Sequence, residues 1–189
     1  MNQKFPWTNS IRCLSIDLVQ RYMASKNVDV LYIFVLEEDK SFFTFKDRFE
    51  MVNLGVADME NVVVIPSGRY IISTETLPGY FEKEENPYVE LDATEDLELF
   101  AGVIAKEFDI SVRFAGEEPK DPFTRQYNRE MERVLPQFGI SFCEIKRKEL
   151  DGEVISASLV RKCMKEGNYG KIRQLVLPEI YHYLEKNFR

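Results

Sequence analysis

Residues 155–161 read Ile155-Ser156-Ala157-Ser158-Leu159-Val160-Arg161. Two hydroxyls and a guanidinium interrupt an otherwise apolar stretch. A helix that begins at a serine exposes N–H groups without intrahelical acceptors, together with the positive end of the helix dipole. Such an end is ready to hold an anion. Ser156 or Ser158 would take the N-cap. Arg161, three residues after Ser158, would lie one turn inside, and its fork could reach back over that end. Leu159 and Val160 would anchor the helix to the core. The arrangement suits a phosphate. The competing reading is an ordinary serine cap beside a surface arginine.

Few other residues offer chemistry. The single histidine, His182, lies in a terminal helical pattern, Pro178 to Lys186, and reads as a surface or half-buried residue. One histidine without paired cysteines gives neither a zinc site nor a histidine-based triad. Cys13, Cys143 and Cys163 are odd in number and lack CxxC spacing. With no apolar leader at the start, they fit free thiols in a reducing cytoplasm. Net charge is −7, which disfavours a nucleic-acid binder. The short basic run Lys146-Arg147-Lys148 is followed at once by Glu149 and Asp151 and reads as a solvated loop. No apolar run approaches the ~20 residues that span a bilayer. At 189 residues, 44% hydrophobic and 30% charged, residues 1–189 read as one globular domain.

The elements that would position the motif alternate. Val30 to Leu36 is a continuous apolar run expected to be a strand buried on both faces. Val62 to Ile65, Ser111 to Ala115 and Gly139 to Ile145 read as further strands. Helical patterns run over Leu18 to Ser25, Thr44 to Leu54, Thr94 to Phe108 and Pro122 to Leu135. The last of these is polar, with at most Tyr127, Met131 and Val134 buried. The charged stretch Glu82 to Pro87 reads as a surface loop. Alternating strands and helices predict an α/β fold with a parallel sheet and right-handed crossovers. Ligands of such sheets sit beyond the carboxyl ends of the strands. The segments leaving those ends are Glu37 to Ser41, Pro66 to Tyr70, Gly116 to Pro119 and Lys146 to Ser158.

Several blocks, in order, resemble one family. They are Asp29 to Ser41 followed by Phe45-Lys46-Asp47-Arg48; Pro66 to Ser73 followed by Thr76 to Phe81; Arg113 to Pro119; Thr124 to Asn128; and Lys148 to Glu153 leading into the Ser/Arg motif. Over roughly residues 24–189 the chain is similar to the nucleotidyltransferase domain of the citrate lyase ligase family, within the HxGH nucleotidyltransferases. The resemblance implies a Rossmann-like α/β domain with a parallel sheet and helices on both faces. It implies ATP as the nucleotide, accompanied by Mg²⁺, and attack on the α-phosphate with release of pyrophosphate. Ser156, Ser158 and Arg161 would hold the β- and γ-phosphates, with Lys40 and Arg48 near the same pocket. Gly116 to Pro119, with Tyr127 and Asn128, would define the acceptor or base region. The partners implied are a small acid or phosphate acceptor and an acyl carrier protein.

The chain departs from the family at its start. Phe5-Pro6-Trp7-Thr8-Asn9-Ser10-Ile11 echoes the signature loop with Ile11 at the histidine position, whereas counting back without gaps puts Asp17 there. Neither alignment supplies a histidine. Almost nothing precedes Phe5, so the first strand is expected to be missing, or replaced by Ile11 to Ile16. A sheet without it would expose edges that invite pairing into a homodimer. Three readings follow: an active enzyme, a nucleotide- or partner-binding domain with poor turnover, and a subunit assembling through its sheet.

Overall fold

The computed structural model describes residues 4–8, 28–37, 42–82, 92–118, 121–146, 149–150 and 152–189, with the backbone alone for 4–8, 82 and 153. The expected helix at 18–25, the expected replacement strand at 11–16, Cys13, Lys40, Arg147, Lys148 and most of the charged loop before Pro87 lie outside these residues.

A five-stranded parallel sheet forms the centre, in the order β3-β2-β1-β4-β5. Its strands are β1 (Lys4–Thr8), β2 (Val30–Val35), β3 (Val62–Pro66), β4 (Val112–Gly116) and β5 (Ser141–Ile145). The expectation of a missing or replaced first strand is corrected here. Lys4–Thr8 runs beside Val30–Phe34 on one flank, and Trp7 pairs with Phe114 on the other. Five residues sufficed for a strand because parallel pairing on both flanks supplies its backbone partners. The strand was missed because Phe5 to Ile11 reads as the signature loop, which leaves almost nothing before it to form a strand.

Both faces of the sheet are covered, which is why its strands read as apolar runs. Alternate residues of β2 serve opposite sides. Leu31, Ile33 and Val35 join Phe114 under α1 (Phe45–Gly55), α5 (Ala157–Lys165), α6 (Tyr169–Leu175) and α7 (Pro178–Phe188). Phe34 and Ala115 face the other side, under α3 and α4. The short helix α2 (Pro78–Glu82) follows the turn Gly68–Tyr70. The helix α3 comprises Thr94–Leu99, a π-helical turn Phe100–Ile104, and Ala105–Glu107. The helix α4 is Pro122–Val134, capped by the Asp121 carboxylate on the Phe123 N–H. A two-stranded antiparallel hairpin, β6 (Glu149–Leu150) with β7 (Glu153–Val154), leads into α5.

Two helices differ from expectation. In α3, Leu97 and Phe100 are fully buried as expected and Asp96 is fully buried beside them, but past the π turn Ala101 and Ala105 are the buried residues and Ile104 and Phe108 are only half-buried. In α4, Phe123, Thr124 and Asn128 are buried as well as Tyr127, Met131 and Val134. The Thr124 hydroxyl donates to the Asp121 carboxylate and Asn128 Nδ2 donates twice, whereas among the described residues the buried Asn128 Oδ1 has no hydrogen-bond partner.

Candidate functional site at the carboxyl ends of the strands

The chain steps outward from β1 to β2 to β3, then crosses back to β4 and β5 on the other flank of β1. Strand order reverses there, and the crevice beyond β1 and β4 is the place where such sheets take ligands. Ile155, Ala157, Leu159 and Val160 share one buried cluster with Val35, Phe43, Phe114 and Ile145. The start of α5 thus belongs to the same buried layer as Val35 and Ile145, the last residues of β2 and β5.

Ser156 is the N-cap of α5. Its backbone is extended (φ −146°, ψ 156°), and its Oγ accepts the Leu159 N–H at 3.1 Å. That settles which serine caps. Ser158 lies in the first turn, exposed, and its Oγ accepts a hydrogen bond from Arg161 Nη2 at 2.9 Å. The guanidinium is thus folded back over the helix start. Leu159, Val160 and Cys163 bury the opposite side of the helix.

Around the other strand ends the groups serve the backbone. Ser67, after β3, accepts the Glu37 N–H at 3.2 Å and gives its own N–H to the Val35 carbonyl at 2.9 Å. Arg48 is buried at 4% exposure. Its two terminal nitrogens donate to the carbonyls of Leu36 and Phe43, each at 2.7 Å. It ties together the two ends of the segment that follows β2. Asn128 Nδ2 donates to the Gly116 carbonyl at 3.0 Å and to Glu144 at 2.7 Å, across the ends of β4 and β5. Among the described residues, a Cβ on Gly116 would meet nothing within 4 Å.

Tyr127 is sealed inside the opposite face. Its hydroxyl donates to Asp96 Oδ2 at 2.5 Å and accepts from Arg113 Nη2 at 2.8 Å. Burial pushes its phenol well above the usual 10.0; Arg113 pulls the other way, and Asp96 adds to the rise. Asp96 Oδ1 also accepts the Ile72 N–H at 2.5 Å and the Thr76 hydroxyl at 2.7 Å. Arg113 lies over the Phe100 ring, 4.1 Å from its centroid. Sequence reasoning missed Asp96 and Arg113. An arginine in the middle of an apolar strand was the available signal for the second. Asp96, beside Glu95 at a helix start, looked like a surface acid.

The structure thus brings Ser158 to Arg161 and Asn128 to Gly116, and it places Tyr127 in a separate buried network. His182 is exposed on α7, and among the described residues Cys143 and Cys163 form no disulfide. Among the described residues no group of three or more His, Cys, Asp or Glu side chains could hold a metal ion. Among them, too, no helix is long and apolar enough to cross a membrane.

Solved structures share the fold at low identity. A hexameric APS kinase from Thiobacillus denitrificans superposes with a TM-score of 0.55 at 12% identity, over 98% of this chain and 36% of that one. A macrolide-efflux protein from Streptococcus pneumoniae gives 0.54 at 11%, over 93% and 56%. Sequence relatives are nearer. The [citrate [pro-3S]-lyase] ligase of Klebsiella pneumoniae is 36% identical over 165 residues, covering 85% of this chain and 48% of its own. That of Haemophilus influenzae is 36% identical over 183 residues, covering 89% and 53%. That of Escherichia coli K12 is 34% identical over 185 residues, covering 95% and 51%. The chain spans about half the length of these curated relatives. Residues 6–184 match the model of the citrate lyase ligase C-terminal domain, and the chain belongs to that family.

Proposed function

We propose that this domain binds ATP with its β- and γ-phosphates at the start of α5 and forms an adenylylated small acid. One observation carries the reading: Arg161 is folded back over a serine-capped helix start that shares a buried layer with the last residues of β2 and β5. The N–H groups there, the helix dipole and the guanidinium all favour negative charge. Membership of the ligase family supports ATP as the nucleotide.

In this reading a carboxylate oxygen of the acid attacks the α-phosphorus. The bond from that phosphorus to the bridging oxygen breaks, and pyrophosphate leaves with the negative charge. Ser156, Ser158 and Arg161 stabilise that leaving charge. Such transfers need positioning and electrostatics more than covalent help from the protein. Lys40 belongs to the same proposed pocket. Arg48 acts there by fixing the carbonyls of Leu36 and Phe43. Gly116 and Asn128 shape the acceptor or base side, and Tyr127 supports α4 from within. Mg²⁺ arrives with the nucleotide. The names of the relatives point to citrate lyase as the final recipient, and an acyl carrier protein is the partner that we add from the family resemblance.

A second reading has one observation in its favour. The sole histidine, His182, is exposed on the last helix, so the reacting phosphate would lack an imidazole donor. Loss of one such donor costs about 10²–10³ in rate, and the domain would then bind nucleotide with poor turnover. Exchange of labelled pyrophosphate into ATP, with acetate present, separates the two. Acid-dependent exchange that disappears in Arg161→Ala is the expected result. Full ATP binding without exchange would replace the first reading by the second.

A further inference from the structure

Among the described residues, two that are not glycine have positive φ: Asp109 at +52° and Ile72 at +48°. Asp109 follows the end of α3, and a short polar side chain takes that conformation readily. Ile72 is β-branched, and for such a side chain the same conformation is strained. A strained residue persists only where its surroundings over-determine it, and strain of this kind gathers at functional sites.

Two locks hold Ile72. Its side chain is buried with Ile71 and Leu77 in the layer that holds Phe34, Leu36 and Ala115, and its N–H donates to Asp96 Oδ1 at 2.5 Å. From Asp96 the bonds run on into the turn. The Thr76 hydroxyl donates to Asp96 Oδ1 at 2.7 Å and accepts the Ser73 N–H at 3.2 Å. Ser73 is fully buried. Its Oγ accepts the Glu75 and Thr76 N–H groups, each at 3.2 Å, and donates to the Arg69 carbonyl at 2.8 Å. The buried carboxylate thus fixes the turn from Arg69 to Thr76, beyond the carboxyl end of β3. Stability alone does not ask for a charge there, because apolar packing often serves as well as a buried ion pair.

The turn presents Tyr70, which is 57% exposed. A Cβ on Gly68 (φ +59°) would come within 3.6 Å of the Tyr70 ring and 3.8 Å of a Glu37 carboxylate oxygen. Tyr70 therefore stands near the residue that follows the end of β2. The exposed charges around it are mixed: Glu37 is exposed, and Arg69 pairs with Glu75 at 3.5 Å. Selection of a ligand there falls to a directional hydrogen bond rather than to a net field. The start of α5, the proposed holder of the leaving pyrophosphate, belongs to the buried layer of Val35 and Ile145, whereas Ile71, Ile72 and Leu77 belong to the opposite layer. Attacking and leaving oxygens lie roughly in line through the phosphorus. Pyrophosphate that leaves toward one layer requires an acid that arrives from the other.

We propose that Asp96 is a positioning residue: through Ile72, Thr76 and Ser73 it fixes the turn after β3 so that the Tyr70 hydroxyl donates a hydrogen bond to the carboxylate of the small acid. The inference rests on the adenylylation reading for the reaction and for the direction of attack.

The test uses the whole chain, with acetate as probe. Acetate binding is measured by saturation-transfer NMR and Mg·ATP binding by calorimetry. Ser73→Ala frees the turn without touching the charged network. It should weaken acetate ~10-fold and leave Mg·ATP affinity within about twofold of wild type. Tyr70→Phe, at the surface, should weaken acetate as much, with an unchanged melting temperature. Asp96→Asn should also weaken acetate, and adding it to Ser73→Ala should cost little more, because both act through one chain of bonds. Should Asp96→Asn fail to fold, the other two variants decide. A lowered melting temperature with wild-type acetate affinity in Ser73→Ala would show a merely structural role and overturn the proposal. So would wild-type acetate affinity in Tyr70→Phe, or additive losses in the double variant. A wild type that binds Mg·ATP but not acetate would overturn it and leave the phosphate site standing. Acetate binding that these variants weaken, in a chain that ignores Mg·ATP, would uphold the turn and remove the nucleotide reading instead. A wild type that binds neither removes both.

Discussion

Arg113 and Asp96 are both fully buried, and the Tyr127 hydroxyl stands between them. Two charged groups inside a protein are costly unless they are paired and hydrogen-bonded. Removing the hydroxyl leaves a guanidinium short of an acceptor and a carboxylate short of a donor. Tyr127→Phe should therefore cost about 1–3 kcal/mol in urea unfolding, although the ring itself is kept. A loss of a few tenths would show that water replaces the hydroxyl. The pH dependence has a definite sign. The folded phenol titrates well above 10.0, so its contribution is fully present below the unfolded value and is lost as pH rises through the folded one. Titration of phenolate absorbance should find Tyr127 still protonated when exposed tyrosines have ionised, and Tyr127→Phe should remove none of the signal near pH 10. None of these pairings was legible in the sequence. Asp96 meets Ile72, Thr76 and Tyr127 across separations of 24, 20 and 31 residues, and nothing local marks a partner that distant.

The helix start at Ser156 was legible, because capping is a local rule and the serine stands directly before an amphipathic run. The cap and the proposed phosphate site occupy the same few atoms, and substitution can separate them. Ser156→Ala should cost about 1 kcal/mol of stability. Ser156→Asp keeps an N-cap acceptor and should hold the melting temperature near wild type, yet its negative charge should abolish ATP affinity. An aspartate variant that binds ATP normally would contradict the phosphate assignment. At the other end of the chain, α7 is tied to α1 by Tyr183, whose hydroxyl donates to Asp47 Oδ1 at 2.8 Å. Burial, then Asp47, pushes that phenol up to about 12. Burial raises the Asp47 carboxyl, but hydrogen bonds from Thr44 and Tyr183 outweigh it and leave the pKa below 3.8. Stability from Asp47 is therefore present above the unfolded value and lost as pH falls through the folded one. Tyr183→Phe should raise the Asp47 pKa, seen by NMR titration, and should narrow the acid range over which α7 stays docked. An unmoved Asp47 would show that Thr44 alone sets it.

At the scale of the molecule, the parallel sheet and its two helical layers followed from strand runs too apolar for a sheet with one wet face. The central strand did not follow, since the residues that form it, Lys4–Thr8, overlap the stretch that echoes the family's signature loop. The π turn in α3 was equally hidden, because an inserted residue leaves no mark on an apolar pattern. What the assembled fold adds is position. The start of α5 shares a buried cluster with Val35 and Ile145, the last residues of β2 and β5, and the strand order puts the crevice at that end of the sheet. A phosphate site there is the central claim. Calorimetry of Mg·ATP binding to the wild-type chain and to Arg161→Ala tests it most directly. Binding in the wild type that weakens at least ~10-fold in Arg161→Ala, consistent with loss of a charge-assisted contact, is the predicted result. Equal affinity in the two proteins, or none in the wild type, would contradict the claim.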